Sequence, residues 1–211
     1  MEIIITILEY TGLFAFAASG AMKALKKHID LFGIIFIGIT TALGGGVIRD
    51  VLLGSTPPVM FVKYSYVLVA AVTSVAIFIL AFILDKKGIF PNIDSFGASI
   101  NIFDAIGLGV FTVLGVNMAM ESGYSDNILF CVFLGLVTGI GGGMLRDILL
   151  ADVPFVLRKK IYALASIAGA VVFYLLSSLN FNHPLSLLIG VLTVFIIRIL
   201  ATVFEWNLPK I

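Results

Sequence analysis

Glu9, Arg49, Asp50, Asp104, Arg146 and Asp147 each stand inside a run of otherwise apolar residues. Ionisable side chains in such runs are expensive, face a protein interior or a water-filled cavity, and mark a path for ions or polar solutes. The Arg-Asp pairs recur in one setting, Gly44-Gly45-Gly46-x-x-Arg49-Asp50 and Gly141-Gly142-Gly143-x-x-Arg146-Asp147. Neighbouring residues point about 100° apart on a helix, so each arginine is expected to find its acid on another span, Arg49 with Glu9 and Arg146 with Asp104. Four acids against two arginines leave this set at −2, a sign that favours cations. The hydroxyls of Thr40, Thr41 and Thr138 could add weak oxygen coordination beside the glycines.

Each glycine of a triplet costs about 1 kcal/mol of helix propensity relative to alanine, so Gly44–Gly46 and Gly141–Gly143 predict kinks. Within a bilayer, interrupted backbone survives only where protein buries it or it lines water. Freed carbonyls there can coordinate a cation, and a new helix N-terminus can attract an anion. The same glycines suit close helix packing, as in Gly135-x3-Gly139-x3-Gly143. The triplets lack a Gly-Lys-Ser/Thr ending and a preceding strand, which excludes a phosphate-binding loop. His28 and His183 read as solvated loop residues on opposite faces, and Cys131 is the only cysteine. No disulfide, transition-metal site or nucleophile–base pair can be assembled, so no enzyme is expected, and no metal beyond a permeant monovalent cation. No cofactor is expected either. The Arg158-Lys159-Lys160 run with Lys26 and Lys27 could hold anionic lipid headgroups, at about 1 kcal/mol per basic residue near the surface.

The elements that carry these residues follow from composition. Of 211 residues, 61% are hydrophobic and 12% charged, with a mean hydropathy of +1.18. Soluble domains carry about 25% charged residues, so this is an all-α integral membrane protein and neither a soluble enzyme nor a nucleic-acid binder. A span needs roughly 20 apolar residues. Seven runs qualify: about Ile3–Met22, Leu31–Leu53, Tyr64–Leu84, Ile100–Met120, Asn127–Leu150, Ile161–Leu179 and Pro184–Phe204, the last with Arg198 inside. The connections are short and polar. Lys23, Lys26, Lys27, Lys86, Lys87, Arg158, Lys159, Lys160 and Lys210 fall on one face, and little beyond Lys63 on the other. The positive-inside rule then puts the N-terminus outside and the C-terminus in the cytoplasm.

Gly38–Pro57 and Gly135–Pro154 are identical at ten of twenty positions, at an offset of 97. Upstream, at an offset of 95, Glu9, Gly12, Phe16 and Gly20 fall opposite Asp104, Gly107, Phe111 and Gly115. The chain is therefore read as one transmembrane domain, residues 1–211, with repeat one at about 1–90, repeat two at about 95–180 and a seventh helix at about 184–206. Three spans per repeat turn the second copy upside-down. Inverted repeats are a transport architecture, with the path at the repeat interface.

The paired GGGxxRD segments, the proline seven residues after each Asp and the three-plus-three-plus-one layout resemble the prokaryotic trimeric intracellular cation (TRIC) channel family. The resemblance covers nearly the whole chain. It implies a homotrimer in the prokaryotic cell membrane, each subunit with its own monovalent-cation pore that prefers potassium to sodium. In that family the second and fifth spans are kinked at the glycine triplets, here Gly44–Gly46 and Gly141–Gly143. Similar bacterial sequences have also been described as small amino-acid (glycine) transporters. The expected function is thus a potassium-permeable channel. No row of filter carbonyls is visible, so its selectivity should be modest. The alternative is a secondary transporter of a small zwitterion such as glycine. The partners expected are further copies of the chain, membrane lipids and potassium ions.

Overall fold

The computed structural model describes residues 2–87, 96–158 and 161–206. In chain order its helices are α1 (Glu2–Leu25), α2 (Leu31–Leu52), α3 (Val59–Val62), α4 (Tyr64–Lys86), α5 (Phe96–Ala119), α6 (Ile128–Leu149), α7 (Phe155–Arg158), α8 (Ile161–Ser178) and α9 (His183–Val203). Seven of them are long and apolar enough to cross a membrane, and their ends lie within four residues of the expected spans. Lys159, Lys160 and Lys210 lie outside the described residues.

Side-chain caps set three of the helix starts. Asp30 accepts from Gly33 N at 2.8 Å, Asn127 from Phe130 N at 3.0 Å and Asn182 from Leu185 N at 3.2 Å. Each cap satisfies a backbone donor that the first turn leaves without an intrahelical partner. At the far end of α5 the chain widens into one π-helical turn, Met120–Tyr124, and leaves helical geometry at Gly123, whose φ is 91°.

α1, α2 and α4 pack together as one three-helix group, and α5, α6 and α8 as a second. The groups meet along two seams, α1 on α5 and α2 on α6, while α9 lies against α5 and α8. On the α1–α5 seam the copies pair reciprocally. A Cβ on Gly107 would stand 2.2 Å from the Phe16 ring, and one on Gly12 would stand 3.0 Å from the Phe111 ring. The two rings stack with centroids 5.4 Å apart.

The α2–α6 seam corrects the expectation of interrupted backbone at the triplets. Both helices stay helical through Gly44–Gly46 and Gly141–Gly143. A Cβ on Gly45 would lie 2.1 Å from the Thr138 carbonyl oxygen, and one on Gly142 would lie 2.0 Å from that of Thr41. Backbone therefore touches backbone, which only glycine permits here. The first glycines pack on the opposite helix, Gly44 against Leu145 and Gly141 against Ile48. The triplets serve close approach.

Two further features differ from the sequence reading. The connections after α2 and α6 are not plain loops: each folds back into a helical turn, α3 or α7. His183 is the first residue of α9, where its Nε2 lies 2.8 Å from Asn117 Oδ1, so it is bonded to a helix neighbour rather than solvated.

Candidate functional site

The ionisable residues inside the spans gather at the two ends of the α1–α5 seam, one set around Glu9 and one around Lys23. The separation follows from α1, since fourteen residues at 1.5 Å each give about 21 Å.

At the Glu9 end, α1, α2 and the start of α4 converge. Tyr66 donates its hydroxyl to Glu9 Oε2. Lys63 Nζ reaches the Tyr66 oxygen at 3.2 Å and stands 4.0 Å from the same Glu9 oxygen. Arg49 does not pair with Glu9. It folds along its own helix and donates to Asp50 Oδ1 from Nε at 2.9 Å and from Nη2 at 2.7 Å. Adjacent positions on a helix can meet when the arginine stem curls back, which the 100° argument overlooks. The second Asp50 oxygen accepts from Val59 N at 2.9 Å and so anchors the first turn of α3.

At the Lys23 end, α1, α5, α6 and α7 converge. Arg146 is 1% exposed. It donates from Nη1 to Asp104 Oδ1 at 2.7 Å and to Ser19 Oγ at 3.0 Å, and from Nε to Asp147 Oδ1 at 2.7 Å. The expected Asp104–Arg146 pair is therefore present. Lys23 adds a second cation to Asp147 Oδ1 at 2.7 Å, and Asp147 Oδ2 accepts from Phe155 N at 2.7 Å, anchoring α7 as Asp50 anchors α3. Outside the span, Asp152 accepts from Lys27 at 2.7 Å and stands 3.7 Å from Lys23. That bond from Lys27, with Lys23 close behind, holds the Asp152 carboxyl below the ordinary carboxylate range.

Arg198 of α9 is buried beside this cluster, its guanidinium carbon 4.7 Å from the Tyr162 ring centre and 5.6 Å from that of Phe155. Asp104 Oδ2 and the Tyr162 hydroxyl are both buried and stand near one another without closing a full hydrogen bond. The third glycines face these clusters, Gly46 with Arg49 Nη2 at 3.8 Å from a Cβ position and Gly143 with the Tyr162 hydroxyl at 3.3 Å.

Thr41 and Thr138 are not aimed into open space. Each hydroxyl donates back to the carbonyl one turn earlier, Ile37 and Leu134, at 2.6 Å. The same hydroxyls press on Gly20 of α1 and Gly115 of α5. Thr40 is half-buried beside them.

A cleft opens on each cluster. The first, about 30 Å³ and large enough for a water or two, is lined by Glu9, Arg49, Asp50, Tyr66, Gly46 and Phe111 among others. The second, about 240 Å³, is lined by Lys23, Lys26, Asn101, Asp104, Arg146 and Phe155.

Sequence reasoning passed over Tyr66 and Tyr162. A signal was present: at an offset of 96, Lys63 and Tyr66 fall opposite Lys159 and Tyr162, at the entrance to the third long helix of each repeat. It also used Lys23 only as a sign of orientation and gave Ser19 no role.

Two three-helix groups inverted about glycine crossings, with an Arg-Asp pair and a cleft at each end, define a membrane bundle of the TRIC type, and solved structures bear this out. A TRIC trimeric intracellular cation channel orthologue from Rhodobacter sphaeroides superposes with a TM-score of 0.87 at 32% identity, covering 96% of this chain and 99% of that one. A structure described as the basis for conductance through TRIC cation channels matches at 38% identity and a TM-score of 0.83, covering 97% and 96% of the two chains. The chain belongs to the family described as Glycine transporter, whose model matches residues 6–82 and 101–178, one stretch in each repeat. It is also 34% identical over 204 residues to the UPF0126 inner membrane protein YadS of Escherichia coli K12, covering 96% of this chain and 93% of that protein.

Proposed function

We propose that the protein is a potassium-permeable monovalent-cation channel of modest selectivity. It assembles as a homotrimer in the cell membrane, with one path per subunit between the inverted repeats. The N-terminus and the Glu9 cleft face outward, and the Lys23 cleft faces the cytoplasm. The observation that carries the reading is the pair of clefts: they enter from opposite ends, share α1 and α5, and each has a bonded Arg-Asp pair in its wall, Arg49 with Asp50 and Arg146 with Asp104. The names of the superposing structures support the cation. At the Glu9 end the wall acids Glu9 and Asp50 outnumber Arg49 and oppose anions, whereas at the other end Lys23, Lys26 and Arg146 outnumber Asp104.

The Lys23 cleft also favours a second reading. Asp104 and Lys26 line one space, an arrangement that offers a carboxylate and an ammonium to the two ends of a small zwitterion. The family's description points the same way.

Purified protein in liposomes separates the two. Rapid potassium efflux that sodium shares in part, without uptake of labelled glycine, is expected. Saturable glycine uptake with little ion current would replace the channel reading with the transporter.

A further inference from the structure

The two clefts do not meet. We propose that the stacked rings of Phe16 and Phe111 are the barrier between them, the residues that decide whether the path conducts. This rests on the channel reading above.

α1 and α5 run antiparallel in one register: Gly12 opposite Phe111, Phe16 opposite Gly107, Ser19 opposite Asp104. The last polar group at one end is Glu9 and the first at the other is Ser19, ten residues apart, or roughly 15 Å along the helix. Between them the seam offers glycine, Leu13, Leu108 and the two rings. Phe16 is 1% exposed and Phe111 8%, the latter because it closes the inner end of the Glu9 cleft. The Thr41 and Thr138 oxygens lie against Gly20 and Gly115, beyond the two ends of this stretch. A potassium ion passing here would shed water with nothing to replace it, and apolar constrictions of this kind gate by dewetting.

The geometry also makes the barrier two-state. Each ring lies on the glycine of the opposite helix and on the other ring, so neither can swing aside alone without leaving a void. Opening requires α1 and α5 to shift together. Packed seams of this sort switch between discrete arrangements rather than deforming continuously.

The test uses the full-length protein in liposomes. Phe16→Ala and Phe111→Ala should each raise basal potassium leak at least tenfold. Unchanged leak from correctly assembled variants would overturn the barrier. A second measurement covers variants that fail to assemble: single cysteines in a Cys131→Ala background, probed with a charged, membrane-impermeant thiol reagent. Gly46→Cys should react from one side only and Asn101→Cys only from the other, with Phe16→Cys reacting from neither. Phe16→Cys reacting as fast as Gly46→Cys would overturn the proposal. Absence of potassium flux from the unmodified protein and from both alanine variants would remove the channel reading instead, and the thiol rates would still decide whether the rings separate the clefts.

Discussion

At the Glu9 end the acid of the repeat is bonded to Tyr66, and Arg49 turns to its own neighbour Asp50. At the Lys23 end the equivalent acid, Asp104, is taken by Arg146, which also holds Asp147, and the equivalent tyrosine, Tyr162, stands near Asp104 without closing a full hydrogen bond. The residues opposite explain the difference. Asp104 faces Ser19, whose hydroxyl joins the Arg146 network, whereas the position aligned with Ser19 at the Glu9 end is Leu114. Lys23, which reaches Asp147, is aligned with Met118. Repeat symmetry thus fixes the backbone and the Arg-Asp pair, and a few positions that break the symmetry decide how each end is wired. The Lys23 end is cross-linked among α1, α5, α6 and α7; the Glu9 end is two separate sets, Glu9 with Tyr66 and Lys63, and Arg49 with Asp50.

The sharpest way to break that comparison is to remove each arginine. Arg146→Met leaves Asp104 and Asp147 buried, with Lys23 bonded to Asp147 alone of the two and Arg198 over the Tyr162 ring. Loss of one partner from a buried ionic group costs about 3–5 kcal/mol, so this variant should unfold at much lower denaturant concentration in detergent. Arg49→Met strands only Asp50, which keeps its bond from Val59 N and borders a cleft. It should cost well under half as much. Equal losses would show that the two ends are wired alike.

Within the triplets the contrast is by position. Gly45→Ala and Gly142→Ala drive a methyl into a backbone carbonyl at 2.1 and 2.0 Å. Neither seam can yield locally, and overpacking of this kind costs about 1–3 kcal/mol or more. Gly46→Ala meets nothing closer than 3.8 Å, and Gly143→Ala nothing closer than the Tyr162 hydroxyl at 3.3 Å. Both should assemble normally on size-exclusion chromatography. A normal Gly45→Ala protein would refute the backbone crossing.

Double-mutant cycles refine the wiring. Glu9→Gln with Tyr66→Phe should show coupling of about 1 kcal/mol or more, and so should Asp104→Asn with Arg146→Met. Glu9→Gln with Arg49→Met should be nearly additive, since the two side chains do not bond. The sequence made the opposite expectation for that last pair, and the reason is instructive. Periodicity and repeat alignment place helices, faces and depth, because those depend on hydrophobic pattern and rise per residue. They therefore located the seven spans, the inverted repeat and the Asp104–Arg146 bond. They do not report side-chain direction within a cluster, where Arg49 had a choice between Glu9 and Asp50. Nor do they distinguish glycines that break a helix from glycines that let two helices touch, because propensity is a local quantity and the Gly45–Gly142 contact is a tertiary one.

The smallest effect concerns how the two Arg-Asp helices end. Both stop in the same way: Ser55 N bonds to the Asp50 carbonyl and Asp152 N to the Asp147 carbonyl, each at 2.8 Å. The residue before each, Gly54 or Ala151, sits in the left-handed region at φ 69° or 54°. Glycine occupies that region freely, whereas alanine is held there against its Cβ. Gly54→Ala should therefore destabilise the Glu9 end by about 1 kcal/mol. Ala151→Gly should stabilise the Lys23 end by roughly 0.5 kcal/mol, the relief of strain being offset in part by the greater freedom of glycine in the unfolded chain. The signs are opposite although the substitutions are mirror images in the repeat. Denaturant midpoints measured side by side in one detergent would read both, and a destabilised Ala151→Gly would mean that the alanine methyl makes a contact worth more than the strain it carries.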